Sequence, residues 1–460
     1  MEIKENKMGT MPVGKLLISM SIPMMFSMLI QALYNIVDSI FIARVSESAL
    51  TAVSLAFPLQ MLMISFAVGT SVGVNSLLAR RLGERRKEEA EKVAGNGIVL
   101  LFLTYLAFLI IGICFTDPFM KMFTDDAELI TMGNQYLKIC MIFSFGIFIS
   151  IACEKIIQGT GETMVSMLIQ LVGAVVNIIL DPILIFGLFG IPALGVRGAA
   201  IATVIGQIAS MIAGIILVRR NKYVKVRFLK ARFNPGISKE TYKVGLPSII
   251  MQAIGTIMTS AMNLILISFT PTATTVFGAY FKLQSFVFMP IFGLNSGFIP
   301  IVGYNFGARN FGRIHRTVKV GILIAVLIMA FGFGIFQLFP QLLLSFFNPS
   351  QAMLDIGVVA LRSISWSFIL AGIQIMLSGV FQGTGDGIYS MICSITRQLV
   401  FLIPSSWILG KLFGLDMVWY GFIISEAASL TLSLFFFSKE IKRFKQIEAE
   451  PIPSSANDGD

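Results

Sequence analysis

Long apolar runs recur along the whole chain, and they restrict its fold more than any other feature. The runs extend over about 20 to 28 residues, which as an α-helix is long enough to cross a hydrocarbon core of ~30 Å. A membrane β-barrel would instead show alternating stretches of about ten residues, and such stretches do not dominate here. Only 13% of the 460 residues are charged, about half of the ~25% found in soluble domains. The chain is therefore predicted to be an all-α integral membrane protein.

Twelve membrane spans are predicted from these runs. Their bounds are 15–43, 50–79, 93–116, 131–157, 164–188, 198–218, 244–269, 275–303, 318–339, 355–381, 388–412 and 418–437. Basic residues are concentrated in the loops at 80–92, 219–243 and 304–319. Because positively charged loops stay on the cytoplasmic side, both termini are predicted to be cytoplasmic in a multi-pass protein of the bacterial cytoplasmic (inner) membrane. The net charge of +10 then reflects orientation, and no nucleic-acid partner is expected.

An internal repeat divides the chain into two related halves. The segment Gln-Gly-Thr-Gly-Glu at 158–162 recurs as Gln-Gly-Thr-Gly-Asp at 382–386, an interval of 382 − 158 = 224 residues. The same interval relates five further pairs, which are Pro23 and Pro247, Gln60 and Gln284, Gly69 and Gly293, Gly73 and Gly297, and Gly83 and Gly307. Six spans separate the copies, so both halves face the same way and are related by an axis along the membrane normal.

The repeat and the longest basic loop together predict the domain organisation. Residues 1–218 form an N-terminal six-helix lobe and 244–437 a C-terminal six-helix lobe. Residues 219–243 form a cytoplasmic basic linker between them, and 438–460 form a cytoplasmic polar tail. Lobes related in this way usually enclose a cavity and rock against each other.

The sequence has no motif for ATP hydrolysis or for enzyme chemistry. It has no Gly-rich loop that ends in Gly-Lys-Ser/Thr, and a single histidine leaves no HExxH or Ser-His-Asp set. We therefore expect a transporter rather than an enzyme, with an ion gradient as its energy source. No cofactor is expected apart from a coupling ion, H⁺ or Na⁺.

Ionisable residues inside the spans of the first half form a candidate cation site. Such a residue costs about 2.5–3.5 kcal/mol on insertion scales, so it points to function. Asp38 is one, and Gln31, Tyr34 and Asn35 form a supporting polar stripe on its helix. Asp181 is the other. Three further features surround it, which are Asn177 on the same helix face, Pro182 directly after it, and Thr203 at a similar depth in the next span.

These groups are predicted to lie at one level of the membrane. Asp38, Asp181 and Thr203 are all roughly 8–10 Å below the outer surface at ~1.5 Å per residue. Carboxylate, amide and hydroxyl oxygens suit either Na⁺ or a protonatable hydrogen-bond cluster. The alternative is that each aspartate only braces its helices through hydrogen bonds.

The second half lacks the paired acids. Ser405 stands where Asp181 would recur, and Met262 stands where Asp38 would recur. It has instead Glu426 in the last span and Arg397 in the span before, at depths that allow an ion pair. A structural salt bridge and a substrate contact are both open interpretations. The neighbouring residues Glu154 and Lys155 lie nearer a span end, where snorkelling is expected.

The sequence resembles the MATE family of multidrug and toxic compound extrusion transporters, in particular its bacterial drug-efflux branch. The resemblance is carried by the run from Asn177 to Gly187, by the two Gln-Gly-Thr-Gly turns and by the segment from Gly198 to Thr203. It covers nearly the whole chain. It implies two six-helix lobes in a V shape and export of drugs driven by entry of H⁺ or Na⁺.

The resemblance also implies roles for individual residues. The first-lobe cation site of family members corresponds to Asp38, Asn177, Asp181 and Thr203, which could hold Na⁺. The family branch with acids in helices seven and ten is not matched, because helix seven here offers Gln252 and Asn263. Glu426 is then expected to face a cationic substrate, with Arg397, Gln252 and Asn263 as further substrate contacts.

The leading functional hypothesis is a cation-coupled (H⁺ or Na⁺) multidrug efflux antiporter that works by alternating access. Its expected partners are small amphiphilic, mostly cationic drugs and membrane lipid, and it is expected to function as a monomer. One alternative is a flippase for lipid-linked precursors, for which Arg397 is the main deep cation. Another is a membrane enzyme acting on lipid, which would need clustered polar residues at an interface.

Overall fold

The computed structural model describes residues 6–226, 228 and 231–450, and within these ranges the chain contains no β-strand. Helices of the first half are α1 (Lys7–Thr10), α2 (Val13–Val45), α3 (Glu47–Gly83), α4 (Lys87–Cys114), α5 (Thr116–Lys121), α6 (Ala127–Ile142), α7 (Phe145–Gly159), α8 (Thr163–Phe186) and α9 (Val196–Arg219). Those of the second half are α10 (Pro235–Ile267), α11 (Pro271–Gly307), α12 (Phe311–Leu338), α13 (Pro340–Ser345), α14 (Gln351–Ser365), α15 (Ser367–Thr384), α16 (Gly387–Ile395), a π-helix (Thr396–Leu402), α17 (Ile403–Phe413), α18 (Leu415–Val418) and α19 (Gly421–Ala449).

Within the described ranges, the helices account for eleven or twelve membrane spans. Eleven are long and apolar enough to cross a bilayer, and α6 with α7 makes a twelfth as a pair bent by 48°. The predicted span 131–157 is therefore broken at Phe143 and Ser144. The predicted span 355–381 is likewise interrupted, at Trp366. The prediction of an all-α membrane fold with about twelve helices is confirmed.

The repeat found in the sequence is also a repeat of helices. Helix α3 and helix α11 each have 37 residues and begin 224 residues apart, and helices α4 and α12 each have 28 residues at the same interval. Even the backbone of the following turns agrees, since Arg85 (φ 62°) and Arg309 (φ 53°) both have positive φ angles. The two halves are copies of one six-helix plan.

The turns of the chain lie at two ends of the helix bundle. We call the basic face the end formed by α1 and by the turns at 84–86, 160–162, 220–226, 231–234 and 308–310. The opposite face carries the turns at 187–195, 268–270 and 414–420.

The lobes meet near the basic face through paired glycine contacts. A Cβ atom on Gly83 would lie 1.9 Å from the carbonyl oxygen of Tyr304, and one on Gly307 would lie 2.1 Å from the carbonyl oxygen of Arg80. A second matched pair of contacts lies farther from the basic face, where glycines of α3 and α11 contact the backbones of α10 and α2. Those contacts are Gly69 with Ile249 and Gly293 with Met25. Small residues allow this close approach of helices in membranes.

Helix α2 crosses from one lobe to the other. Its basic-face half packs in the hydrophobic core of the second lobe through Leu16, Leu17 and Met20, next to Met8 of α1. Its other half carries Tyr34 and Asp38 in the first lobe. A hydrogen bond from Ser21 Oγ to the carbonyl oxygen of Leu294 (3.3 Å) joins the lobes at the crossing.

Two predicted segment ends differ from the observed helices. Helix α10 begins at Pro235, so the end of the predicted linker is helical, and α19 continues to Ala449, well beyond 437. Phe444 explains this extension, because its ring is buried and stacks on Phe311 at a centroid distance of 5.1 Å. Arg227 and Lys230 of the basic linker, with residues 1–5 and 451–460, lie outside the described residues.

Candidate cation-binding site in the first lobe

Helices α8 and α9 bring together three polar side chains that are almost completely buried. Asn177 and Asp181 lie one turn apart on α8 and are 2% and 0% exposed, and Thr203 of α9 is 3% exposed. The Asn177 amide nitrogen donates to Asp181 Oδ1 at 3.2 Å and also lies 3.5 Å from Thr203 Oγ1. Glycine makes this possible, because a Cβ atom on Gly206 would lie 2.8 Å from the carbonyl oxygen of Gly173.

Helix α2 adds Tyr34 and Asp38 to the same cluster. Tyr34 lies close enough to Thr203 and to both aspartates to interact with them electrostatically. The two aspartates also interact with each other. The structure thus brings together all four predicted cation-site residues, with Tyr34 beside them.

The cluster has a surplus of hydrogen-bond acceptors. Asp38 Oδ1, Asn177 Oδ1 and Asp181 Oδ2 are buried oxygen atoms without a donor. A buried acceptor without a partner costs about 1–3 kcal/mol, and more when it is charged. One cation held between these oxygens, or one proton on a carboxylate, would satisfy them. The described residues contain no group of three or more His, Cys, Asp or Glu that could hold a metal ion, so a transition-metal site is not indicated.

Sequence analysis missed a group of residues around Asp38. Tyr136 and Cys140 of α6 interact electrostatically with Asp38, and Tyr136 also interacts with Gln60 of α3. Their only sequence signal is an i, i+4 spacing of polar groups within an apolar span. The sequence also did not predict the bend after α6, which separates this group from α7.

The rest of the predicted polar stripe lies outside the cluster. Gln31 and Asn35 are exposed, and Gln31 Oε1 accepts a hydrogen bond from Gln170 Nε2 at 3.3 Å. Tyr34 and Asp38 form one i, i+4 row on α2, and Gln31 and Asn35 form the neighbouring row. Tyr34 and Asp38 interact with Asp181 of the cluster, whereas Gln31 contacts α8 only at the exposed Gln170.

The second lobe holds an ion pair where the sequence allowed one. Arg397 Nη1 lies 2.7 Å from Glu426 Oε1, and the side chains are 27% and 8% exposed. Arg397 lies in the π-helix, a distortion that often marks functional sites, and Tyr280 of α11 interacts with both charges. Arg397 Nε and Glu426 Oε2 are buried without partners.

Gln252 and Asn263 lie on α10, and neither is hydrogen-bonded to this pair within the described part of the chain. Gln252 is exposed, and its amide nitrogen donates to the carbonyl oxygen of Ser248 in its own helix at 3.4 Å. Asn263 lies eleven residues further along α10, which is about 16 Å along a helix axis.

Comparison with known proteins supports the family suggested by these features. The MatE family model matches twice, over residues 23–183 and 247–408, so the two matches begin 224 residues apart. The multidrug export protein MepA of Staphylococcus aureus (strain bovine RF122 / ET3-1) is 28% identical over 419 residues, which is 90% of this chain and 91% of that protein. MepA of Staphylococcus haemolyticus (strain JCSC1435) is 28% identical over 425 residues, covering 92% and 93%.

Solved structures agree with this result. An outward-facing multidrug resistance MATE family transporter of the MOP superfamily superimposes with a TM-score of 0.90 at 27% identity, covering 96% of this chain and 99% of that one. A MOP superfamily transporter from Pyrococcus furiosus, described as having a binding pocket of reverse polarity and a different function, gives a TM-score of 0.89 at 27% identity, covering 95% and 98%. The chain therefore belongs to the MatE family, that of the MATE multidrug efflux transporters.

Proposed function

We propose that this protein is a cation-coupled antiporter that exports small amphiphilic, mostly cationic molecules by alternating access. The observation that carries the proposal is the set of three buried acceptor oxygens on Asp38, Asn177 and Asp181 that have no donor. Such a set has high affinity for H⁺ or Na⁺, and two carboxylates held together in a low dielectric repel each other until a cation enters. The site can therefore exchange a cation as part of a transport cycle.

The cation site lies toward the opposite face, away from the glycine contacts that join the lobes near the basic face. Asp38 is seven residues before the end of α2 at Val45, about 10 Å from the opposite face. The glycine contacts join the lobes at the other end. With the basic face in the cytoplasm, as the positive-inside rule requires, we assign this conformation to the outward-open state. A cation that binds here would enter from outside.

Coupling requires that the two ligands favour different conformations. A cation bound between Asp38 of α2 and Asp181 of α8 removes their repulsion, which allows these helices to close together. Substrate binds when the cation has left toward the cytoplasm. Each ligand then shifts the equilibrium between the outward-open and inward-open states only through its differential affinity.

Glu426 and Arg397 form the proposed charged part of the substrate site. Arg397 is the more exposed member of the pair, so a cationic substrate would have to displace its guanidinium to reach Glu426. The same pairing argues against a lipid-linked flippase, because Arg397 is not free to hold a phosphate. Gln252 and Asn263 are proposed as separate, neutral contacts on α10.

The direct test is transport of ethidium by purified protein in liposomes, under an imposed pH gradient and separately under a Na⁺ gradient. Wild-type protein should respond to one of them, and that response names the coupling ion. Asp181→Asn should lose the response while folding normally. Asp117→Asn is the matched control, because Asp117 is a surface acid paired with Lys121 at 2.6 Å. Full gradient-driven transport by Asp181→Asn would refute the proposed site.

A further inference from the structure

A line of polar groups continues from the cation site through the interior of the first lobe. On α9, Thr203, Gln207 and Ser210 are spaced at i, i+4 and i+7, so they share one face of the helix. That face is packed tightly against α8, since a Cβ atom on Gly173 would lie 3.0 Å from the Cβ of Ser210. It runs about two turns from the cation site toward the basic face.

Helix α7 extends the line. Ser210 Oγ and Ser150 Oγ are hydrogen-bonded at 2.9 Å, and Ser150 Oγ lies 3.4 Å from Glu154 Oε1. Ser150 is 4% exposed and Ser210 is 5% exposed. The carboxyl group of Glu154 thus lies at the end of a buried chain of hydroxyl groups. The antiport mechanism proposed above assigns it no role.

Beyond Glu154 the polar groups reach the basic face. Lys155 Nζ donates to Gln158 Oε1 at 2.8 Å, and Gln158 is directly followed by the turn at 160–162. Asn75 of α3 donates to the carbonyl oxygen of Lys155 at 2.9 Å. Among the described residues, Lys155 is the charged side chain that interacts electrostatically with Glu154. These contacts hold both side chains by hydrogen bonds, where the sequence predicted snorkelling.

Two buried amide atoms on this line have no hydrogen-bond partner. They are Gln207 Oε1, between Thr203 and Ser210, and Gln158 Nε2, at the end near the basic face. Buried polar atoms that lack partners mark places where a hydrogen-bond network changes or is completed by another species. A rotation of the Gln207 side chain would bring its amide toward either neighbour on α9.

We propose that this line is the route by which the coupling proton leaves the cation site, with Glu154 as the proton-carrying residue at its cytoplasmic end. This inference rests on the proposed antiport function and names H⁺ as its ion. The proton leaves the carboxyl group of Asp181 and is relayed by hydroxyl groups of the line, each of which takes up one proton and gives up its own. It reaches the Glu154 carboxylate and is released at the basic face. Asp181 and Glu154 are then both carboxylates, and every hydroxyl is neutral again. A metal cation would need several oxygen ligands at each step, whereas a proton moves between hydrogen-bonded groups.

Two transport assays on Glu154→Gln separate proton release from structural support. In liposomes, ethidium transport driven by a pH gradient requires proton release in every cycle, whereas counterflow exchange of labelled for unlabelled ethidium does not. Glu154→Gln should lower gradient-driven transport by about 100-fold, the lower end of what a positioned proton-transfer group contributes, while counterflow stays near the wild-type rate. Ser210→Ala should lower the first rate and spare the second in the same way.

Ser166→Ala is the matched control. Its hydroxyl is 2% exposed and lies 3.2 Å from the backbone carbonyl oxygen of Glu154, so it shares the packing but not the line. It should keep both rates. Equal loss of both rates in Glu154→Gln would mean that Glu154 only braces the lobe, and retention of both would mean that protons leave elsewhere.

Two further outcomes separate this inference from the antiport proposal. Wild-type transport that follows only a Na⁺ gradient would overturn the proton route and leave the antiporter standing. Full activity of Asp181→Asn would overturn the cation site itself, and the route with it.

Discussion

The charged pair of the second lobe differs in kind from the aspartates of the first. Glu426 already has a cationic partner, Arg397, at 2.7 Å, whereas Asp38 Oδ1 and Asp181 Oδ2 are buried oxygens without a donor. A paired charge is a poor site for a small coupling cation. The Arg397–Glu426 pair is suited either to binding a large substrate that displaces Arg397 from Glu426, or to a structural role.

Glu426→Gln should distinguish these roles. It removes the carboxylate and leaves the positive charge of Arg397 unpaired, so cationic substrates should be repelled. We expect their affinity to fall by about tenfold, which is ~1.4 kcal/mol, with little change for neutral substrates, as measured by fluorescence titration of purified protein.

Arg397→Gln is the natural partner of that experiment. It leaves Glu426 unpaired, so cationic substrates should bind at least as well as to the wild type. An equal loss of cationic and neutral binding in both variants would assign the pair to structure alone.

For the helices, the sequence correctly predicted which spans exist and in what order, but it did not predict where two of them are interrupted. The predicted spans match the long helices because apolar length alone decides whether a helix can cross a bilayer. The breaks have a weaker cause. At the first, Ser144 Oγ donates to the carbonyl oxygen of Met141 at 2.7 Å, and at the second, Ser367 Oγ donates to that of Ile364 at 2.7 Å. Serines elsewhere in the helices make similar bonds without breaking them, so serine alone does not predict a break.

The candidate site was predictable only in part, for a related reason. Asp38, Asn177, Asp181 and Thr203 could be grouped because helix depth follows from residue number. Tyr136 could not be added, because its place depends on how α6 packs after the bend. The separation of Asn35 from Tyr34 likewise depends on the rotation of α2, which a polar stripe does not fix.

The glycine contacts of α3 and α11 give a prediction for helix packing. A Cβ atom on Gly307 would lie 2.1 Å from a backbone oxygen of Arg80, and backbone cannot move aside as a side chain can. Gly307→Ala should therefore destabilise the lobe contact by roughly 1–3 kcal/mol, the usual cost of overpacking. A fall in the thermal midpoint of purified protein would report it.

Gly312→Ala provides the comparison, because nothing lies within 4 Å of a Cβ atom at that position of α12. It should leave the midpoint unchanged or raise it slightly, as helix propensity favours alanine. Equal midpoints for the two variants would show that the glycine contact does not hold the lobes together.

At the scale of the whole molecule, charges join the lobes beside the glycines. Arg81 of α3 lies 2.8 Å from both Glu84 and Glu240, and Glu240 belongs to α10. Arg81→Gln removes the ion pair between Arg81 and Glu240, so the outward-open state should lose population. Spin labels at Phe189 and Phe413, exposed residues near the opposite face, should then report shorter distances.

Arg86→Gln is the control for that measurement. Arg86 contacts Glu84 and Glu89 within its own lobe, at 3.8 and 3.5 Å. The distribution of spin-label distances in Arg86→Gln should match that of the wild type. An unchanged distribution for Arg81→Gln as well would mean that the Arg81–Glu240 pair does not bias the conformation.

An antiporter moves substrate and cation in opposite directions through one exchange cycle. The most direct measurement uses wild-type protein in liposomes with trapped indicators for pH and for Na⁺, no ion gradient, and an imposed gradient of ethidium. We expect ethidium movement to drive one of the two ions the opposite way, and we expect Asp181→Asn to abolish this ion movement. Ethidium transport by folded wild-type protein without movement of either ion would contradict antiport.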